Sequence, residues 1–389
     1  MPYKVRTRDE HFLNDGQPKR ILALDGGGLR GIVTLSMLAE IEALLKEQHG
    51  GMDSFRLSHY FDLIAGTSTG AIIAAALARN MTVAELTKKY LSLSKSVFQK
   101  CWFRQGLFRA RYDEKALIAE LKNVFGEATT LSDQSLQTGL LIVSKRLDTG
   151  SPWPISNNPR GKYYNARPGS NTIANAAYPL WQVVRASTAA PLYFDPEKIE
   201  IVHGQAGQRP VAGEFVDGRV SPFNNPTLQA LMYATLDGYR IGWPTGANNL
   251  FLVSVGTGSR DPSVSPASIA AENGIKALVS LMDDCGALME TLMQWMSTSP
   301  TARVIDRELG DLRNDLIAPA PLVTYLRYNV ALTKESLTTL GMTLSDDKIE
   351  GLSAMDDPAN METLQEVGAK AAKQQVHPAD FPAHFELAN

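Results

Sequence analysis

The amino-acid sequence predicts an α/β fold, a three-layer sandwich with a mostly parallel central sheet and helices on both faces. Apolar runs of strand length, at 21–25, 61–66, 138–147 and 248–258, alternate with segments of helical spacing, the pattern of consecutive βαβ units. The first two runs end in glycine-rich motifs, DGGGLRG at 25–31 and GTSTG at 66–70. Ligands on such sheets gather beyond the carboxyl ends of the strands. Over 389 residues, 44% hydrophobic content with 20% charge is the balance of a chain that buries a large core.

Taken in order, residues 1–19 form a polar leader without the apolar stretch of a secretory signal. ILALD at 21–25 reads as a buried strand, and Ile32, Leu35, Leu38, Ile41 and Leu45 recur at helical spacing after it. FDLIAG at 61–66 reads as a second strand, and 71–79 as a small-residue helix packed on it. Thr82 and Glu85 have the capping-box spacing that opens a further helix. Strands follow at 138–147 and 248–258, separated by a Pro/Asn/Gly-rich loop at 151–170 and a helix near 176–186. Residues 275–296 carry Met282, Met289, Met293 and Met296 at helical spacing. A core-facing stripe is the plain reading, and a lid over the catalytic cleft, opening to lipid, is the functional one. VTYLRYNVAL at 323–332 alternates like a strand. The pairs Asp283/Asp284, Asp346/Asp347 and Asp356/Asp357 read as helix caps or turns. Residues 20–260 are expected to form the catalytic domain, and 261–389 a helical cap region packed on it.

A formal charge of −3 leaves no electrostatic footprint for nucleic acid. Cys101 and Cys285 belong to no metal or redox pattern, which fits a reducing compartment. No segment reaches the roughly 18 apolar residues of a membrane span. The expectation is a cytoplasmic protein whose membrane contact is peripheral. Neither HExxH nor EF-hand spacing occurs, so no metal is expected.

GTSTG fits the nucleophile elbow, a sharp strand-to-helix turn that exposes Ser68. A serine there sits at a helix N-terminus, where free N–H groups favour developing negative charge. DGGGLRG has two readings. Gly26, Gly28 and Gly31 satisfy GxGxxG between a strand and a helix, which would make the loop a phosphate cradle of a nucleotide-binding module. That fold needs an acidic residue at the tip of the next strand, and GTSTG offers none. The other reading is an oxyanion hole of backbone N–H donors at Gly26, Gly27 and Gly28, with Arg30 adding positive charge. Each such donor lowers the barrier by about 3–4 kcal/mol. None of His11, His49, His59, His203, His377 and His384 lies in a catalytic motif. Asp217, in EFVDGRVSPFNNP, closes a short apolar run, and by itself Asp-Gly reads as a turn.

Together DGGGLRG, GTSTG and the later Asp-Gly resemble the patatin-like phospholipases, and RASTAAPLYFDP at 185–196 is similar to a segment of that family. The resemblance covers about residues 20–260 and implies a patatin-like sandwich. It also implies a serine–aspartate dyad, with Ser68 as nucleophile, Asp217 as base and Gly26, Gly27, Gly28 and Arg30 at the oxyanion hole. The implied activity is phospholipase A-type cleavage of phospholipid esters. Arg219 departs from the small residue the family places after Asp-Gly, and its guanidinium threatens the basicity of Asp217. The compact opening RILALDGGGLRGI is similar to bacterial members that act as phospholipase effectors of antiphage signalling. That likeness implies a cyclic nucleotide activator and a homo-oligomer as candidate partners; residues 260–389 contain no recognisable nucleotide site.

Overall fold

The computed structural model describes residues 3–98, 114–191, 193–204, 209–260 and 273–387. Among these residues nine strands form one sheet: β1 (Lys19–Leu24), β2 (Leu63–Thr67), β3 (Gly139–Arg146), β4 (Pro152–Ser156), β5 (Glu197–Val202), β6 (Val211–Asp217), β7 (Leu250–Val255), β8 (Ser297–Thr298) and β9 (Val323–Tyr328). Their order is β5-β6-β3-β2-β1-β7-β9-β8, with β4 paired to β3. The block from β3 to β8 is parallel. β4 and β6 run antiparallel to β3, and β5 antiparallel to β6.

Every residue of β1, β2 and β7 is buried, as expected of parallel strands covered on both faces. Strand alternation divides them between two cores. Leu22, Leu24, Ile64, Phe251 and Val253 join a cluster with the helices Gly31–Gln48, Thr69–Ala78 and Met361–Gln375. Ile21, Ala23, Leu63, Ala65 and Leu252 join another with Ala230, Leu231 and Ala234 of the helix Thr227–Thr235 and with Met293. The three-layer sandwich is therefore present, and residues after 260 contribute β8 and β9 to its sheet. Among the described residues no helix is long and apolar enough to cross a membrane.

Several local expectations change. The loop expected at 151–170 contains β4, whose Pro152 and Pro154 are tolerated because β4 pairs on one side only. The helix expected near 176–186 begins at Leu180, after Pro179 has stopped the turn Asn175–Ala177. Thr82 and Glu85 do form the reciprocal capping box. Asp346 and Asp347 occupy the first turn of a helix capped by Ser345, and Asp357 caps the turn Pro358–Asn360. Asp283 and Asp284, by contrast, lie inside the helix Asn273–Met296 and cap nothing.

In that helix Met289 and Met293 are buried, whereas Leu281, Leu288 and Trp295, spaced seven residues apart, are exposed. The buried methionines follow the core-facing reading and line no part of the Ser68 cleft. Met293→Ser should therefore cost about 2–5 kcal/mol of stability, read as a melting temperature lowered by several degrees. A higher basal hydrolysis rate with unchanged melting would restore the lid.

Candidate active site

β1 and β2 are neighbours, and the two glycine motifs leave their carboxyl ends side by side. Directly after β2, Ser68 adopts φ 54° and ψ −124°, and the helix Thr69–Ala78 starts at the next residue. Such a conformation costs a non-glycine residue about 1–3 kcal/mol and persists where its surroundings enforce it. The enforcement is visible. The Ser68 N–H donates to Ser187 Oγ at 2.9 Å, and the Ser187 hydroxyl donates to the Val143 carbonyl of β3 at 2.6 Å.

Asp217 is the last residue of β6, and its approach to Ser68 follows from strand register. β4 occupies one edge of β3 through residues opposite Leu141 to Lys145. The other edge carries β2 as far as Thr67, opposite Val143, and then β6 from Asp217, opposite Ser144. Two strands running in opposite directions thus meet tip to tip. Across the gap the Ser68 hydroxyl donates to Asp217 Oδ2 at 2.6 Å. Asp217 Oδ1 accepts the Arg219 N–H at 2.8 Å, and the Asp217 N–H donates to the Ala189 carbonyl at 3.0 Å. Ser187 and Ala189, which fasten the two residues, both belong to RASTAAPLYFDP.

Burial pushes the Asp217 carboxyl up to about 6, against the hydrogen bonds from Ser68 and Arg219 and the charges of Arg219 and Arg185. The Arg219 guanidinium turns away: Nη1 lies against the Met355 sulfur and Nη2 is 3.9 Å from Asp283. Only its backbone N–H touches the carboxylate, so Asp217 keeps enough basicity to take a proton near neutral pH.

The glycine loop is pinned by its carbonyls. Gly26 O accepts from Thr257 Oγ1 at 3.2 Å, Gly27 O from the Arg30 N–H at 3.2 Å, and Gly28 O from the Tyr90 hydroxyl at 2.5 Å and Thr69 Oγ1 at 2.9 Å. In a trans peptide the following N–H points opposite to the carbonyl. Holding Gly26 O and Gly27 O therefore directs the N–H groups of Gly27 and Gly28 the other way. Neither meets an acceptor among the described residues, and both glycines line the cleft that holds Ser68. Gly26 differs, since its N–H donates to the Asn224 carbonyl at 3.1 Å. Arg30 touches the loop through its backbone N–H. Asp25, just before the loop, is clamped by Arg327 of β9 at 2.6 and 3.0 Å.

Gly28 sits at φ +57°, and a Cβ there would overlap the Met355 carbonyl. Gly28→Ala should displace one donor and lower kcat about 10²–10³-fold with little change in KM. A change confined to KM would place the oxyanion elsewhere.

Much of the remaining wall is apolar, formed by Ile72, Leu93, Val97, Leu117, Tyr193 and Phe194. No histidine lines it. His11 pairs with Asp62, His49 with the Leu45 carbonyl, His59 with Tyr3 and His203 with Glu200. His377 and His384 lie in the C-terminal turns. Among the described residues no group of three or more His, Cys, Asp or Glu is disposed to hold a metal.

A model of the family described as patatin-like phospholipase matches residues 22–231, which span both glycine motifs and Asp217. The chain belongs to the patatin-like phospholipase family. A cGAMP-activated phospholipase of Vibrio cholerae is 31% identical over 69% of this chain and 72% of its own. A second cGAMP-activated phospholipase, from Escherichia coli, is 30% identical over 64% of this chain and 65% of its own. The protein named probable inactive patatin-like protein 9, from Arabidopsis thaliana, is 29% identical over 68% of this chain and 67% of its own. As a patatin-like phospholipase the chain is a lipid ester hydrolase. Sequence reasoning missed Ser187, Thr257 and Tyr90 in this patatin-like site. Thr257 had a signal, a polar residue just beyond the carboxyl end of a buried strand.

Proposed function

We propose that this enzyme is a phospholipase A-type acyl hydrolase that works through a dyad of Ser68 and Asp217 and is restrained until a cyclic nucleotide binds. The observation that carries the reading is the 2.6 Å hydrogen bond from Ser68 to a carboxylate raised to about 6, beside two N–H groups that meet no acceptor among the described residues. Ser68 Oγ attacks the ester carbonyl while Asp217 takes its proton, and the oxyanion lies on the Gly27 and Gly28 N–H groups. The protonated Asp217 then gives its proton to the leaving alkoxide, which departs as the lysolipid. Asp217 next removes a proton from water, which attacks the acyl-enzyme. Collapse releases the fatty acid and returns the proton to Ser68. The apolar walls suit an acyl chain, and exposed Leu281, Leu288 and Trp295 suit peripheral contact with lipid.

Cyclic nucleotide control is supported by the names of the Vibrio and Escherichia relatives. It suits an effector that degrades membrane on command, the role such an enzyme would have in antiphage defence. The test is fatty-acid release from phospholipid vesicles with and without cGAMP. Release that rises with cGAMP and is absent from Ser68→Ala supports the reading. Release at full rate without nucleotide removes the regulated half, and none under either condition removes the phospholipase.

A further inference from the structure

The buried guanidinium of Arg219 stands in the Ser68 cleft with no close anion among the described residues, and the buried guanidinium of Arg30 lies within its electrostatic reach. Arg219 is 6% exposed and Arg30 4%. Arg219 lines the Ser68 cleft, its Nε meets no acceptor among the described residues, and Nη2 reaches Asp283 only at 3.9 Å, the outer limit of an ion pair. Arg30 leaves Nε and Nη1 without acceptors among the described residues. Met355 ties the two together: its carbonyl takes the N–H of Leu29, next to Arg30, and its sulfur touches Arg219. Burial and repulsion from Arg219 and Arg260 pull Arg30 down to about 9, which still leaves it a cation at neutral pH. Desolvated cations with free N–H donors are costly, and a forked guanidinium is shaped for phosphate oxygens.

We propose that Arg219, with the buried charge of Arg30 behind it, forms an anion subsite that takes a phosphodiester of the substrate while its ester carbonyl lies on Ser68, displacing Asp283. The assignment rests on the acyl-hydrolase reading and narrows it to esters that carry a phosphate a few bonds away, glycerophospholipids in preference to diacylglycerols. Arg219 is also two residues from Asp217 and holds Oδ1 through its N–H. One short turn therefore serves both the base and the phosphate. Asp283 is half-exposed on a neighbouring helix and acts as the counter-ion that the substrate replaces.

The experiment compares hydrolysis of phosphatidylcholine and of diacylglycerol with the same acyl chains in mixed micelles. In Arg219→Gln the ratio of the two kcat/KM values should fall about tenfold or more. In Asp283→Asn it should rise, because the competing carboxylate is gone. A merely structural Arg219 would lower both substrates equally, and that result overturns the proposal. Inorganic phosphate titrated into Ser68→Ala protein reads the subsite without turnover: binding lost in the Arg219→Gln double variant supports it, and binding unchanged by Arg219→Gln, or absent from both proteins, overturns it. A soluble phosphodiester could use the same chemistry. If cGAMP competes with phosphatidylcholine in the wild type and loses that competition in Arg219→Gln, the subsite belongs to a nucleotide and the lipid assignment fails. If wild-type protein cleaves neither ester with or without cGAMP, the acyl-hydrolase reading falls and takes this subsite with it; cleavage of both at equal kcat/KM defeats the subsite alone.

Discussion

Ser68→Ala should lower ester hydrolysis by about 10⁴-fold or more, since among the described residues no other hydroxyl donates to Asp217. A fluorophosphonate probe should label the wild type at Ser68 and fail to label the variant. The fold should survive: the Ser68 N–H that anchors the elbow to Ser187 remains, and alanine tolerates φ 54° no worse than serine. Ser68→Gly supplies the complementary result. It should be as inactive as Ser68→Ala but more stable, because glycine relieves the left-handed strain. Activity retained in either variant, or labelling at another residue, would remove Ser68 from the mechanism.

How much of this site could be read from the sequence depended on how local each signal was. Ser68 was legible because elbow, preceding strand and following helix are contiguous, and β1, β2, β3 and β7 announce themselves as apolar runs, β9 as an alternating one. Asp217 was not legible from its own neighbourhood, where Asp-Gly reads as a turn; the family resemblance supplied it. Its meeting with Ser68 depends on β6 running antiparallel along the edge of β3 that β2 vacates after Thr67. That register is set by residues far apart in the chain. β4, β5 and β6 were obscured for a related reason. They lie at or next to the edge, alternate between buried and exposed residues or carry proline, and lack the continuous burial that marks a central strand. Ser187 and Thr257 act by hydrogen bonds to backbone that tertiary packing brings near, so their side chains alone carry no catalytic signature. Gly26 matches the glycine motif yet has its N–H taken by Asn224, a partner almost two hundred residues away.

Asp217→Asn should abolish most activity and stabilise the protein above pH 6, a pair of effects with a common cause. The Asp217 carboxyl is raised from its ordinary value of 3.8 to about 6, mainly by burial. As a base it must be ionised, so kcat/KM of the wild type should rise with pH through about 6 and level off above it. The same shift sets the stability. In the unfolded chain the carboxyl loses its proton near pH 4, whereas the folded protein keeps it until about 6. Between those values the folded state binds the extra proton, so stability falls as pH rises through the window. Above it the cost is on the order of 3 kcal/mol. Asparagine has nearly the same shape, can accept the Arg219 N–H, and carries no charge to desolvate. The variant should therefore melt higher than wild type at pH 8, with the difference vanishing near pH 4. Its activity should fall about 10³–10⁴-fold, by analogy with isosteric loss of a catalytic aspartate elsewhere. His203→Ala, His377→Ala and His384→Ala should each leave the rate within about twofold, as surface changes away from a site do. A histidine variant as inactive as Asp217→Asn would identify a different base. An Asn variant that keeps the acid limb near pH 6 would show that the limb belongs to another group, and Asp217 would then be structural.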